Sequence, residues 1–372
     1  MFFEITLDVI PAGFALTSAE KGQTVAVEPR QFLTTDDGEI LYTYLDGISS
    51  LFLNKYFANR RMKIPPIDTC LITINKQKVA KVYINDFPVD IKIVGKVAVQ
   101  KGQEITKEDI ADILEVGFPT IEIEPDNGIV YIFSYGWRRA LYFDFTPIQP
   151  DSKSYLHDIG ALFARFHTVM LFKELFQLDN SVLEDMYERG WFPFVRILGN
   201  KFESLYNAFK NKFSLEPVEA AIITDFGEDK LQEMLSSWLT KNIFQDHRLL
   251  LERGIERYIA GDHVSAISNL YPRIEGILRY VYLGEVNQPK SNALVDNLWE
   301  KVSTKCLDTS LFLPDRFREY LKRFYFAYFD VKTGKLDISR HSIGHGVARQ
   351  EAFNQVKALQ GVLILDQLFY YL

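Results

Sequence analysis

Cysteine is almost absent: Cys70 and Cys306 are the only two in 372 residues, and they form neither a disulfide framework nor a zinc-ligand spacing. A disulfide-stapled scaffold is excluded, and a reducing cytoplasm is the expected location. The opening residues, Met1-Phe2-Phe3-Glu4-Ile5-Thr6, lack the basic stretch and apolar run of a secretory leader. No membrane association is expected. The most apolar late stretch, Val362 to Leu372, is too short to span a bilayer and is interrupted by Asp366 and Gln367. Also missing are a Gly-x-x-x-x-Gly-Lys-Ser/Thr phosphate loop, a dinucleotide fingerprint, a Gly-x-Ser-x-Gly elbow and a His-Glu-x-x-His pair. Enzyme classes with short signatures are not indicated, and no cofactor is expected.

Aromatic residues are plentiful at 14%, so the cores should be rich in Phe and Tyr. The formal charge of −7 argues against generic coating of nucleic acid. Its distribution says more. Residues 241–372 carry 18 Lys and Arg against 15 Asp and Glu, whereas residues 1–240 carry 24 against 34. The C-terminal part tolerates a polyanion that the rest would repel.

Three consecutive parts are expected. Residues 1–150 read as an α+β domain dominated by antiparallel strands, a candidate sensor or regulator. Within it, Ile67–Ile74 and Lys78–Ile84 are β-branched and partly alternating, with Asn75-Lys76-Gln77 as a hairpin connection. Ile121-Glu122-Ile123-Glu124 also alternates, ahead of a Pro125-Asp126-Asn127-Gly128 turn and an Ile129–Phe133 strand. Ile40 to Phe57 looks like one helix. Pro147-Ile148-Gln149-Pro150 marks a boundary. Residues 151–238 follow as a helical platform broken at Gly190, Pro193 and Pro217. Residues 239–372 complete the chain as an all-helical bundle with short connections. There, Pro272 is set to kink one helix, Pro314 to open another, and the last helix to run from about Ser339 to Tyr371.

The bundle holds the best candidate for chemistry, Arg340-His341-Ser342-Ile343-Gly344-His345-Gly346. This stretch resembles the Arg-polar-x-x-x-His signature of the HEPN superfamily of helical RNA-cleaving domains. Upstream, Tyr271-Pro272-Arg273-Ile274-Glu275-Gly276-Ile277-Leu278-Arg279 is similar to the helix that precedes that signature in bacterial HEPN families. The resemblance covers roughly residues 240–372. It implies a metal-independent endoribonuclease with an RNA substrate. It also implies a homodimer or higher even-numbered assembly, in which two motifs face a shared cleft. Such domains occur in defence and toxin-like systems. A HEPN-like bundle without catalysis, acting as a nucleotide-binding or protein-interaction module, is the alternative.

Elementary chemistry agrees with that assignment. Ser339 is placed to cap a helix, so the first-turn N–H groups and the helix dipole would favour a phosphate. Arg340 adds a planar two-donor fork. His345, with an ordinary imidazole pKa near neutrality, could deprotonate a ribose 2′-OH, while His341 supports from the polar slot. Five helical residues subtend about 140°, so Arg340 and His345 do not share a face, and one protomer supplies half a site.

Other readings compete at each position. His341 and His345 stand four apart, as two zinc ligands would, but no further ligand pattern lies nearby and no metal is expected. Glu275 and Arg279 suit an intrahelical ion pair, or one of them orients Arg340 or His345 across the bundle. Arg257 precedes His263 in a looser match, but Ala260-Gly261-Asp262 separates them, which makes the pair surface decoration. Trp137-Arg138-Arg139 reads as a strand end with a buried ring, with a nucleic-acid clamp as the alternative. His157 and His167 are assigned core or surface roles.

Overall fold

Strands that are apolar along their whole length, such as Gly128-Ile129-Val130-Tyr131-Ile132-Phe133, need cover on both faces. The computed structural model supplies it. Its described residues are 1–11, 15–16, 20–24, 27–28, 31–35, 40–149, 158–282, 288–328 and 339–372. The strands are β1 (Phe2–Thr6), β2 (Ala15–Leu16), β3 (Val27–Glu28), β4 (Gln31–Thr35), β5 (Cys70–Ile74), β6 (Val79–Ile84), β7 (Asp90–Gly95), β8 (Ile110–Gly117), β9 (Gly128–Tyr135) and β10 (Arg138–Asp144). Six of them form a sheet in the order β1-β6-β5-β9-β10-β4, with every neighbouring pair antiparallel. The N-terminal region is therefore strand-rich and antiparallel, and a helical region follows it.

Internal packing defines two compact units where the sequence suggests three consecutive parts. One comprises Met1–Lys92 and Leu114–Leu171, the other Ile93–Ile113 and Phe172–Leu372.

In the first unit, α1 (Leu41–Ile48), a π-helical stretch (Ser49–Asn54) and α2 (Lys55–Asn59) run on as one helical segment, as the Ile40–Phe57 stripe implies. Phe52, Leu53 and Phe57 join Ile72, Val82, Val130 and Leu141 in the core on that face of the sheet. On the opposite face lies α3 (Ile159–Leu171), whose Phe163 and Phe166 rings stand 4.7 and 4.5 Å from Tyr131 and Tyr142. His167 on α3 is a core residue. Its Nε2 lies 3.2 Å from the Tyr131 hydroxyl and its Nδ1 2.6 Å from that of Tyr135, with the Phe133 ring stacked parallel at 4.3 Å. Burial pushes its pKa down to about 4. His157 lies outside the described residues.

Two expectations for this unit need correction. Ile121–Glu124 forms no strand: Ile121 N–H bonds the Phe118 carbonyl in a turn, and alternation without a partner edge does not make a ladder. The Trp137 ring is not buried. Tyr135 pairs with Arg138, so Gly136 and Trp137 are the two turn residues between β9 and β10, and Trp137 is 80% exposed. Gly136 at φ 58° supplies the left-handed conformation such a turn needs.

Apart from Ile93–Ile113, which holds the end of β7 and the start of β8, the second unit is mostly helical: α4 (Asn180–Glu188), α5 (Asn200–Lys210), α6 (Glu216–Asp225), α7 (Glu228–Trp238), α8 (Asn242–Gln245), α9 (Arg248–Ile259), α10 (His263–Val281), α11 (Ser291–Ser303), α12 (Pro314–Tyr320), α13 (Arg340–Gly344) and α14 (Gln355–Tyr371). Residues 240–372 contain no strand among the described residues. Pro217 opens α6 rather than breaking it, since a first-turn proline forfeits no intrahelical bond. Pro314 opens α12, as expected.

Helix α14 is buried nearly all round, and the polar residues that interrupt its apolar run are paired. Asp366 accepts from Arg196 Nε and Trp238 Nε1, both at 2.9 Å. Gln367 accepts from the Val195 N–H at 3.0 Å. Elsewhere in the unit, buried Asp112 accepts from the Ser310 hydroxyl at 2.6 Å and the Leu311 N–H at 3.0 Å. Burial nevertheless raises its carboxyl to a pKa of about 6. Across the described residues no helix is long and apolar enough to cross a membrane.

Candidate active site around Arg340

The site begins with a defect in α10. Pro272 sits inside this helix, where its ring disturbs the regular backbone ladder. Beside that turn, the Tyr325 hydroxyl touches the Glu275 N–H and the Tyr271 carbonyl, two groups that stand one helical turn apart. It accepts from Glu275 N–H at 3.0 Å and donates to Tyr271 O at 2.6 Å. Tyr325 is fully buried at the end of a π-helical stretch, Leu321–Tyr325, that continues α12.

Glu275 follows directly, only 8% exposed. Its Oε1 accepts from Arg279 Nε at 2.8 Å, and its Oε2 accepts from Arg340 Nε. The two readings of Glu275 and Arg279 therefore both hold, an intrahelical pair and a tie across the bundle to Arg340. Burial alone would raise the Glu275 pKa, but the Arg279 hydrogen bond and the Arg340 charge outweigh it and hold the carboxyl below its ordinary range. One carboxylate between two guanidiniums leaves the trio with net positive charge.

Arg340 opens α13, whose N-cap is Ser339. The cap is reciprocal: Ser342 N–H bonds Ser339 Oγ at 3.1 Å, and Ser339 N–H bonds Ser342 Oγ at 2.8 Å. The cap thus takes up the N–H groups of Ser339 and Ser342, and Arg340 and His341 occupy the two positions between them at the helix start.

The motif does not open the long last helix either. Helix α13 ends after five residues, with His345 as its C-cap and Gly346 at φ 67°. Val347 N–H closes on Ser342 O at 3.0 Å, and α14 starts afresh with Asn354 as its cap. Gly346 ends the first helix, since it takes a left-handed conformation that side chains resist.

His345 is exposed at the end of α13. His341 is half-buried and stacks face to face on Tyr328, with centroids 4.8 Å apart and planes 9° apart. Desolvation, then the neighbouring Arg340 charge, lowers its pKa. Ser339 and Tyr328 both line a cleft of about 1160 Å³ whose walls also carry Arg323, Arg349 and Lys357. Comparison with protein-family models, with curated proteins and with solved structures gives no match. The site therefore stands on its own geometry.

Arg257 lies on α9 and His263 opens α10, so the looser match is divided between two helices. Among the described residues, no group of three or more His, Cys, Asp or Glu side chains is arranged to hold a metal. Tyr325 and Tyr328 were not legible as site residues. The density of aromatics in Phe324-Tyr325-Phe326-Ala327-Tyr328 was their only sequence signal, and it reads equally as core.

Proposed function

We propose that the C-terminal bundle is a HEPN-type endoribonuclease that cleaves RNA without a divalent metal, at a composite site shared by two protomers. The observation that carries this reading is the tether on Arg340. Glu275 takes its Nε, and its two terminal nitrogens make no hydrogen bond among the described residues. A guanidinium held at one edge, in a trio of net positive charge, is preorganised for a phosphate.

The chemistry needs few groups. The His345 imidazole takes the proton of a ribose 2′-OH, and O2′ attacks the adjacent phosphorus. The bond from phosphorus to the 5′ oxygen breaks, and that oxygen takes up a proton. The products are a 2′,3′-cyclic phosphate and a free 5′-OH. Arg340 stabilises the charge that develops on the phosphorane. Because Arg340 and His345 lie about 140° apart around the helix, the pair acting on one phosphate comes from two chains.

The test uses purified full chain on total RNA with chelator present. Arg340→Ala should cost about 10²–10³ in rate. His345→Ala should cost about 10²–10⁴. Arg340→Lys should fail too, because a point charge does not reproduce the fork. Mixing Arg340→Ala protein with His345→Ala protein should restore part of the activity, since a mixed dimer keeps one complete site. Full activity in His345→Ala protein at unchanged thermal stability overturns catalysis and favours the binding-module reading.

A further inference from the structure

Tyr328 is 80% exposed, a costly position for a large ring unless something covers it. One face is already committed. His341 lies parallel to it at 4.8 Å, and Phe326 approaches His341 from a second direction at 6.4 Å. The stack is thus braced from behind, and among the described residues no hydrogen bond ties the Tyr328 ring elsewhere. The ring also lines the cleft beside Ser339, the cap of the helix that carries Arg340.

We propose that Tyr328, backed by His341, is a stacking platform for an unpaired base of the RNA whose phosphate Arg340 receives. This rests on the ribonuclease reading and narrows it to single-stranded RNA. Three observations converge. The platform has a rigid backing, so little side-chain freedom is lost when a base settles on it. Its backing residue, His341, immediately follows Arg340, and the motif from Arg340 to His345 rises only about 7.5 Å, so base and phosphate contacts fall within the reach of neighbouring nucleotides. The cleft itself is lined by five acidic and five basic side chains, so the net positive charge for a phosphate comes from the Arg279–Glu275–Arg340 trio beside the platform. A duplex is excluded by the same physics, because its bases are already stacked on both faces. The polar slot of the motif acquires a purpose: His341 presents an aromatic ring face to Tyr328, which a serine or asparagine would not.

The experiment measures binding of a short single-stranded oligoribonucleotide carrying 2′-O-methyl groups, which blocks 2′-OH attack and separates binding from cleavage. Tyr328→Ala should weaken binding about 10- to 100-fold, and in cleavage of unmodified RNA the loss should appear in KM. Tyr328→Phe, which keeps the ring, should rescue binding. A duplex of the same sequence should not compete. Tyr328 is exposed, so its replacement should fold, which unchanged thermal unfolding checks. Equal affinity of Tyr328→Ala and unaltered protein, or no binding by the unaltered protein, overturns the platform. Loss of binding in Tyr328→Ala together with absence of cleavage by the unaltered protein keeps the platform and removes the ribonuclease reading.

Discussion

At the scale of single residues, the position of the Arg340 guanidinium can be separated from the stability of the fold. The side chain folds back so closely over Gly344 that a Cβ there would collide with Arg340 Nη1. Gly344 is helical and its φ is not positive, so alanine fits the backbone and favours the helix by roughly 0.5–1 kcal/mol. The clash falls on the far end of a flexible side chain, which moves aside. Gly344→Ala is therefore expected to unfold at the same temperature or slightly higher, while RNA cleavage drops at least about tenfold, since small misplacements of a reacting group are expensive. Thermal unfolding and single-turnover rates on the same preparation check it. Unchanged cleavage would mean that the guanidinium reaches its working position independently of this contact.

At the scale of elements, α10 and the π-helical stretch after α12 are tied at one point. The hydroxyl of Tyr325 bridges the Glu275 N–H and the Tyr271 carbonyl, which flank Pro272. Tyr325→Phe removes both of its hydrogen bonds without changing shape. The expected cost is about 1–3 kcal/mol in chemical denaturation. Because Glu275 is the residue whose N–H is released, its grip on Arg340 should loosen, and cleavage should fall more than the stability loss explains. A stable Tyr325→Phe protein with full activity would show that the bridge neither stabilises nor positions.

At the scale of the whole molecule, two buried groups, one in each unit, are expected to answer acid in opposite directions. His167 has a folded pKa of about 4, depressed from an ordinary 6.5, by burial. Its unfolded form binds a proton that the folded form refuses, so its contribution is complete above about pH 6.5 and lost as the pH falls toward 4. Asp112 is shifted upward, from 3.8 to about 6, by burial. Its folded form holds a proton that the unfolded form releases, so its own contribution to stability rises as the pH falls from about 6 toward 4. Within each window the slope is about 1.4 kcal/mol per pH unit. Amide exchange resolved by residue between pH 7 and 5 should show protection falling around α3 and rising around Asp112. Asp112→Asn keeps an acceptor for the Leu311 N–H and should abolish the rise. Parallel pH dependence in the two units would contradict the assignment of these groups.

Local pattern alone determined a good deal of this protein. β-Branched, partly alternating runs marked β5 and β6, the Ile129–Phe133 run marked β9, and Pro314 opened a helix as its place in a first turn implies. Arg340, His345, Glu275 and Arg279 were legible as residue types at suggestive spacings. Other features needed the folded chain. Ile121–Glu124 had the alternation of a strand but no edge to pair with, and Trp137 sits at a turn whose register is set by β9 and β10 together. The end of α13 depended on a glycine adopting a left-handed conformation, while the same residue type at 344 stays helical. The tie from Glu275 to Arg340 spans 65 residues of sequence. The Tyr325 bridge spans 50. Contacts of that separation carry no periodicity along the chain, because they arise only when independent helices pack.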